Sequence, residues 1–314
     1  MRVIQFDAAT LANVRLSPSP AMEALAWLER TVSEDVHPVF GETGASARFA
    51  LRDPDVALVA ATMPIGAGYT ADFLSPQPRL TRPDLIFATQ LDEVAATAPE
   101  VVAEQVGQTV GAKSPLVMAA VEAGTFAARA ARGLDKFWMW AIRDGWPDLR
   151  DRHNADLDVR ARAMATAGIG GLLGTLHPDL MWTGSTLTVH RPGDTTFHVE
   201  RDFVLAPGVL SWPNMLFQLA VDSSTIYYPA HGVGGERQPE QDVARLVGST
   251  RARLLGDLDV PRSTSDLSER LRLSPSTISY HLSVMHGSGL VTRARAGRAV
   301  LYRRTDRGTA LAGR

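Results

Sequence analysis

Between residues 274 and 281 the chain places six side chains able to exchange hydrogen bonds with another molecule: Ser274, Ser276, Thr277, Ser279, Tyr280 and His281. No carboxylate stands among them. Arg293, Arg295 and Arg298 follow soon after. Short hydroxyl and imidazole groups reach base edges, and guanidinium groups hold phosphates, so this set suits recognition of duplex DNA better than bond-making. The groups that other chemistries require are missing. With 0 cysteines there is no thiolate nucleophile, thiolate metal ligand or disulfide. No Gly-x-Ser-x-Gly elbow or His-Glu-x-x-His motif occurs, so no catalytic residues are expected. Gly168-Ile169-Gly170-Gly171-Leu172-Leu173-Gly174 has Leu173 where a dinucleotide fingerprint needs glycine, and reads as close helix packing or a helix end. His190 and His198 flank an expected hairpin turn and would face each other across it. Two ligands without a third make a poor metal site, and no metal or cofactor is expected.

The elements around the hydroxyl cluster fit that role. Val243, Leu246, Val247, Thr250, Leu254, Leu255 and Leu258 recur at helical spacing and give a first amphipathic helix, ended by Asp259 and Pro261. Ser263 with Asp266 three residues on forms a short capping box for a second helix with Leu267 and Leu271 inward. Ser274 followed by Pro275 opens a third helix. There Ile278, Leu282 and Met285 form the inward stripe, leaving the hydroxyls and His281 outward, as a recognition helix requires. Gly289 ends it. Two strands, 291–295 and 299–304, then form a hairpin with Arg293, Arg295 and Arg298 at or near its tip.

These residues resemble the winged helix of the ArsR/SmtB repressor family, through Leu246-Val247-Gly248-Ser249-Thr250-Arg251-Ala252-Arg253-Leu254-Leu255, Leu273-Ser274-Pro275-Ser276-Thr277-Ile278-Ser279-Tyr280-His281-Leu282 and Gly289-Leu290-Val291. The likeness covers about residues 241–314. The whole chain resembles the actinobacterial members that carry a long N-terminal domain. The resemblance implies a homodimer on an inverted-repeat operator. The family's thiolate sensor stretch is here Thr264-Ser265-Asp266-Leu267-Ser268-Glu269, without cysteine. After the wing there is a lone Asp306 and no histidine, so neither usual metal site is expected. The same short tail cannot supply a full dimerisation helix.

Charge divides the chain in the same place. Residues 241–314 carry 13 Arg against 6 Asp and Glu, whereas residues 1–240 carry 19 Lys and Arg against 28 Asp and Glu. A basic domain on an acidic one is the footprint of a protein that meets nucleic acid with one part. Gly232-Val233-Gly234-Gly235-Glu236-Arg237-Gln238-Pro239-Glu240 has no hydrophobic periodicity and reads as a linker over 232–240. The expected architecture is α+β: a mixed domain over 1–231, then a winged helix-turn-helix over 241–314.

In the first domain the pattern predicts a strand over 3–6, a helix over 21–30, a helix with Leu134, Phe137, Trp138 and Ala141 on one face, and a helix over 155–176. Leu187 and Val189, the turn Pro192-Gly193-Asp194 and residues 196–200 read as a hairpin, with Phe203-Val204-Leu205 and Ile226-Tyr227-Tyr228 as further strands of the same sheet. All six tryptophans lie here. Ring-lined apolar cavities bind drug-sized molecules, so an effector pocket near Trp138, Trp182 and Trp212 is expected. No apolar run reaches the roughly 18 residues of a membrane span, and the opening residues lack a secretory leader's apolar stretch, so no membrane partner and a cytoplasmic location are expected. The reading is a ligand-controlled, DNA-binding repressor and not an enzyme. The alternatives are an enzyme whose product controls transcription, or a protein-interaction module whose winged helix does not meet DNA.

Overall fold

The structure is a computed structural model describing residues 2–66, 68–190, 195–220, 223–234, 247–258, 260–296 and 299–311. It combines helices with mixed sheets, an α+β architecture. The chain divides into two compact units, Met1–Gly234 and Gly235–Arg314. The expected linker therefore loses its start: residues 232–234 belong to the first unit, where Val233 is only 4% exposed. Residues 235–240 lie outside the described ones.

The first unit begins with β1 (Arg2–Phe6), α1 (Ala8–Ala12) and β2 (Arg15–Leu16). Helices follow: α2 (Pro20–Ser33), α3 (Gly44–Ala50), α4 (Pro54–Ala60), α5 (Ile86–Ala95), α6 (Pro99–Gly107), α7 (Pro115–Glu122), α8 (Phe126–Ala141) and α9 (Trp146–Gly174). Proline starts α2, α4, α6 and α7, at positions where its missing N–H has no partner to lose. Ser19 and Asp53 cap α2 and α4 by accepting from first-turn N–H groups. Helix α8 buries Leu134, Phe137 and Trp138 in the helical core, as its spacing predicts. Helix α9 starts earlier than the expected 155. It is interrupted at Gly168, whose φ of 67° suits glycine, so the glycine run marks a helix break.

Six strands follow: β3 (Leu180–Trp182), β4 (Thr186–Val189), β5 (Thr195–Val199), β6 (Asp202–Gly208), β7 (Leu216–Leu219) and β8 (Ser223–Pro229). The expected β4–β5 hairpin does not form. The order is β3-β4-β1-β5, with β1 antiparallel to β4 and parallel to β5. The apolar β1, with Ile4 fully buried, occupies the place between them and gains a ladder on both edges. The expected turn 192–194 lies outside the described residues. His198 pairs with Gln5, while His190 follows Val189, the partner of Arg2, so a strand separates the two histidines and they do not face each other.

Residues 203–205 and 226–228 are strands, but of a second sheet ordered β2-β6-β8-β7. One of its faces sends Phe203, Leu205, Ile226 and Tyr228 into a core shared with Ile4, Phe6, Leu187 and Val189 of the first sheet. Its other face places Val204, Ala206 and Tyr227 against Met22 of α2. The buried Glu23 carboxylate ties α2 to this layer by accepting the N–H groups of Val209 and Leu210 at 2.8 and 2.7 Å. Among the described residues no helix is long and apolar enough to cross a membrane.

The three tryptophans expected near one pocket are parted. Trp138 lies between Phe87 and Trp146, at 4.4 and 4.6 Å between ring centroids, and Trp212 stands 6.1 Å from His37 in the same helical core. Trp182 packs on Phe6 against the core between the sheets. Trp138 is buried and Trp212 half-buried in the helical core, whereas Trp182 is half-buried against the core between the sheets, so the three rings are not gathered in one place.

Candidate nucleic-acid interface

The second unit contains α10 (Ser249–Asp257), β9 (Arg262–Ser263), α11 (Thr264–Leu271), α12 (Pro275–Gly287), β10 (Val291–Ala296), β11 (Ala299–Arg304) and α13 (Asp306–Leu311). Leu254, Leu255, Leu258, Leu267, Ile278, Leu282 and Met285 are fully buried in one cluster with Val291. The inward stripes predicted from spacing thus meet in one core. Val243, Leu246 and Asp259, expected to belong to the first helix and its end, lie outside the described residues.

Both turns are fixed by local hydrogen bonds. The Ser263 hydroxyl accepts from Asp266 N at 3.2 Å, and Asp266 accepts from Ser263 N at 3.0 Å. The Ser263 backbone N–H holds the Asp266 carboxyl below its usual range, keeping the box ionised. Between α11 and α12, Arg272 adopts φ 53°, and the Ser268 hydroxyl donates to the Leu273 carbonyl. Gly289, at φ +70°, ends the helix segment and returns Leu290-Val291 to the core.

On α12 the Ser274 hydroxyl accepts from Thr277 N at 3.2 Å and lies 2.9 and 2.8 Å from the hydroxyls of Ser276 and Thr277. Ser274 is therefore first a helix cap. Ser276, Ser279 and Tyr280 are exposed, Tyr280 by 62%. Thr277 and His281 are half-buried. The His281 ring meets Tyr280 edge to face at 5.3 Å, with Nδ1 shut from solvent and without a partner among the described residues. Its Nε2 is left as the nitrogen able to reach outward. No carboxylate lies on α12, so the exposed face can approach a polyanion without like-charge repulsion. Ser283, one turn beyond Ser279, is exposed on the same side and extends the surface. Its helical spacing was the available signal.

The wing is a three-stranded sheet ordered β10-β11-β9, and its short third strand was not legible as two residues of sequence. Arg293 pairs with Tyr302 and Arg295 with Val300. Alternation puts Val291, Arg293 and Arg295 on one face. Val291 is buried in the helical core, so both exposed arginines project from the face of the hairpin that turns toward the helices. Arg303, opposite Thr292, is exposed from the other face. Arg298 lies outside the described residues.

A recognition helix with a buried apolar side, a carboxylate-free polar side and an adjoining arginine hairpin is the arrangement of a major-groove reader with phosphate contacts at its flank. Comparison with known proteins agrees on the module. A family model described as a helix-turn-helix domain matches residues 249–294. No curated protein matches the chain. Among solved structures, reduced HlyU from Vibrio cholerae is 28% identical over 24% of this chain and 79% of its own, with a TM-score of 0.21. Residues 249–294 thus carry a helix-turn-helix domain.

Proposed function

We propose that the protein is an ArsR-like one-component repressor: two copies bind an inverted-repeat duplex through α12 and the wing, and a small organic ligand held by the first unit controls release. The observation that carries this is the division of α12, with Ile278, Leu282 and Met285 fully buried and Ser276, Ser279 and Tyr280 exposed beside Arg293 and Arg295. The ligand acts through differential affinity for the DNA-competent and incompetent arrangements, without a catalytic step.

Selecting bound sequences from a random duplex library, then footprinting the selected site, tests the reading. Two-fold symmetry predicts protected half-sites with centres about 34–36 Å apart, or a multiple of that spacing. A monomer saturating one asymmetric site would refute the dimer, and failure to enrich any sequence would refute operator recognition.

A further inference from the structure

The second sheet carries a groove that the fold itself does not fill. Register aligns Arg15 of β2, Val204 of β6, Thr225 of β8 and Gln218 of β7 in one row across four strands. At about 4.8 Å per strand, the backbones of Arg15 and Gln218 stand roughly 14 Å apart. The segment from Asp72 to Pro78 crosses this row and is pinned along it. Gln218 Nε2 donates to the Asp72 carbonyl at 3.0 Å, Tyr227 OH to the Ser75 carbonyl at 3.2 Å, and Arg15 Nη1 to the Pro78 carbonyl at 2.9 Å. Between this segment and the starts of β6 and β8 lies a groove of about 760 Å³, lined also by Phe73, Leu219, Arg201, Asp202 and Ser223.

The two ends differ in charge. At the β7 end the Asp72 carboxylate accepts from Tyr69 OH at 3.2 Å, and no cation pairs with it among the described residues. Burial pushes its carboxyl up from the usual range. Beside it Gln105 accepts from Phe73 N at 2.9 Å through Oε1, which leaves its amide NH₂ to donate. At the β2 end Arg15 spends one N–H on Pro78 and retains the rest of its fork. Arg79 and Glu93 at the rim satisfy each other.

We propose that this groove binds an elongated zwitterion, with an ammonium group at Asp72 and a carboxylate at Arg15. A dianion would face Asp72, a dication would face Arg15, and an apolar molecule would desolvate both charges without pairing either. A linear tripeptide spans about 10 Å, which fits within the roughly 14 Å between the Arg15 and Gln218 backbones, and is a simple zwitterion of that scale. The proposal rests on the ligand-controlled reading above, for which it supplies the site.

Titration of full-length protein with trialanine, N-acetyl-trialanine and trialanine amide, by calorimetry and thermal shift, tests it. Free trialanine binds, and blocking either terminus weakens binding about tenfold or more, the loss of one charge-assisted pair. In Asp72→Asn the penalty of acetylation disappears, and in Arg15→Gln the penalty of amidation disappears. Absence of trialanine binding, equal binding of the blocked peptides to wild type, or penalties that persist in the variants overturns the site. Trialanine that binds in this pattern yet leaves affinity for the selected duplex unchanged leaves the groove standing and overturns ligand control.

Discussion

Acidification should destabilise the first unit through one imidazole, His37. The residue is 1% exposed, and its Nδ1 accepts the N–H groups of Val39 and Phe40 at 3.0 and 3.2 Å. Two donors aimed at Nδ1 fix the neutral tautomer, because a protonated ring would set N–H against N–H. Burial, followed by the positive charge of Arg30, pushes the pKa from 6.5 down to about 4. Between those values the unfolded chain binds a proton that the folded chain refuses, so stability is lost as pH falls from about 6.5 toward 4. At 1.36 kcal/mol per pKa unit the loss approaches about 3 kcal/mol. Asp55 does not share this window: burial opposes its ionisation, but hydrogen bonds from Arg129, Lys136 and Arg132 outweigh that and hold it at about 2. Glu29 and Asp72, pushed up by burial, act in the opposite sense at the lower end. Urea unfolding followed by tryptophan fluorescence reads the first unit alone, since all six rings are in it. His37→Asn keeps an acceptor at the Nδ1 position without a titrating ring. Its stability should vary less than wild type between pH 6.5 and 4.5, and parallel profiles for the two proteins would refute the assignment.

At the proposed DNA surface, Ser279→Ala and His281→Ala should each weaken the selected duplex and relax preference at a defined position, by about 1–3 kcal/mol for a base contact. Competition against single-position variants of the site measures this. Arg293→Ala and Arg295→Ala should instead weaken most sequences alike and reduce the slope of log K against log salt by about 0.9 for each phosphate no longer neutralised. An unchanged slope would show that the wing does not touch DNA. Ser274→Ala should cost about 1 kcal/mol of stability in the second unit through the missing cap, read by thermal unfolding, whereas exposed Ser276→Ala should leave stability nearly unchanged.

What was legible in the sequence was local. The Ser263–Asp266 box, the Ser274-Pro275 start and the stripe Ile278, Leu282, Met285 depend on neighbours three or four positions away, and each stands where spacing put it. The third helix and the two long strands after it could therefore be placed from local spacing. The sheets could not. Strand β1 pairs with residues 186–189 and 195–199, far along the chain, and nothing within residues 2–6 names those partners. The segments 186–189 and 196–199, separated by a turn signal, favour a hairpin on local grounds, and a long-range apolar strand overrode that preference.

The tryptophans failed as a guide for a related reason. A large ring announces burial, but burial in which core depends on packing that its neighbours in sequence do not encode, and Trp138 and Trp182 ended in different cores. The groove shows the converse. Arg15, Asp72, Gln105 and Gln218 carry no motif and are scattered over some two hundred residues of sequence. They converge only because parallel pairing of β2, β6 and β8 sets Arg15 in row with Val204 and Thr225, and antiparallel pairing adds Gln218. A site built by register is invisible until the register is known. A site built on one helix can be read from its own spacing. The two halves of this chain differ in that respect, which is why the exposed polar side of α12 could be anticipated from spacing and the groove on the second sheet could not.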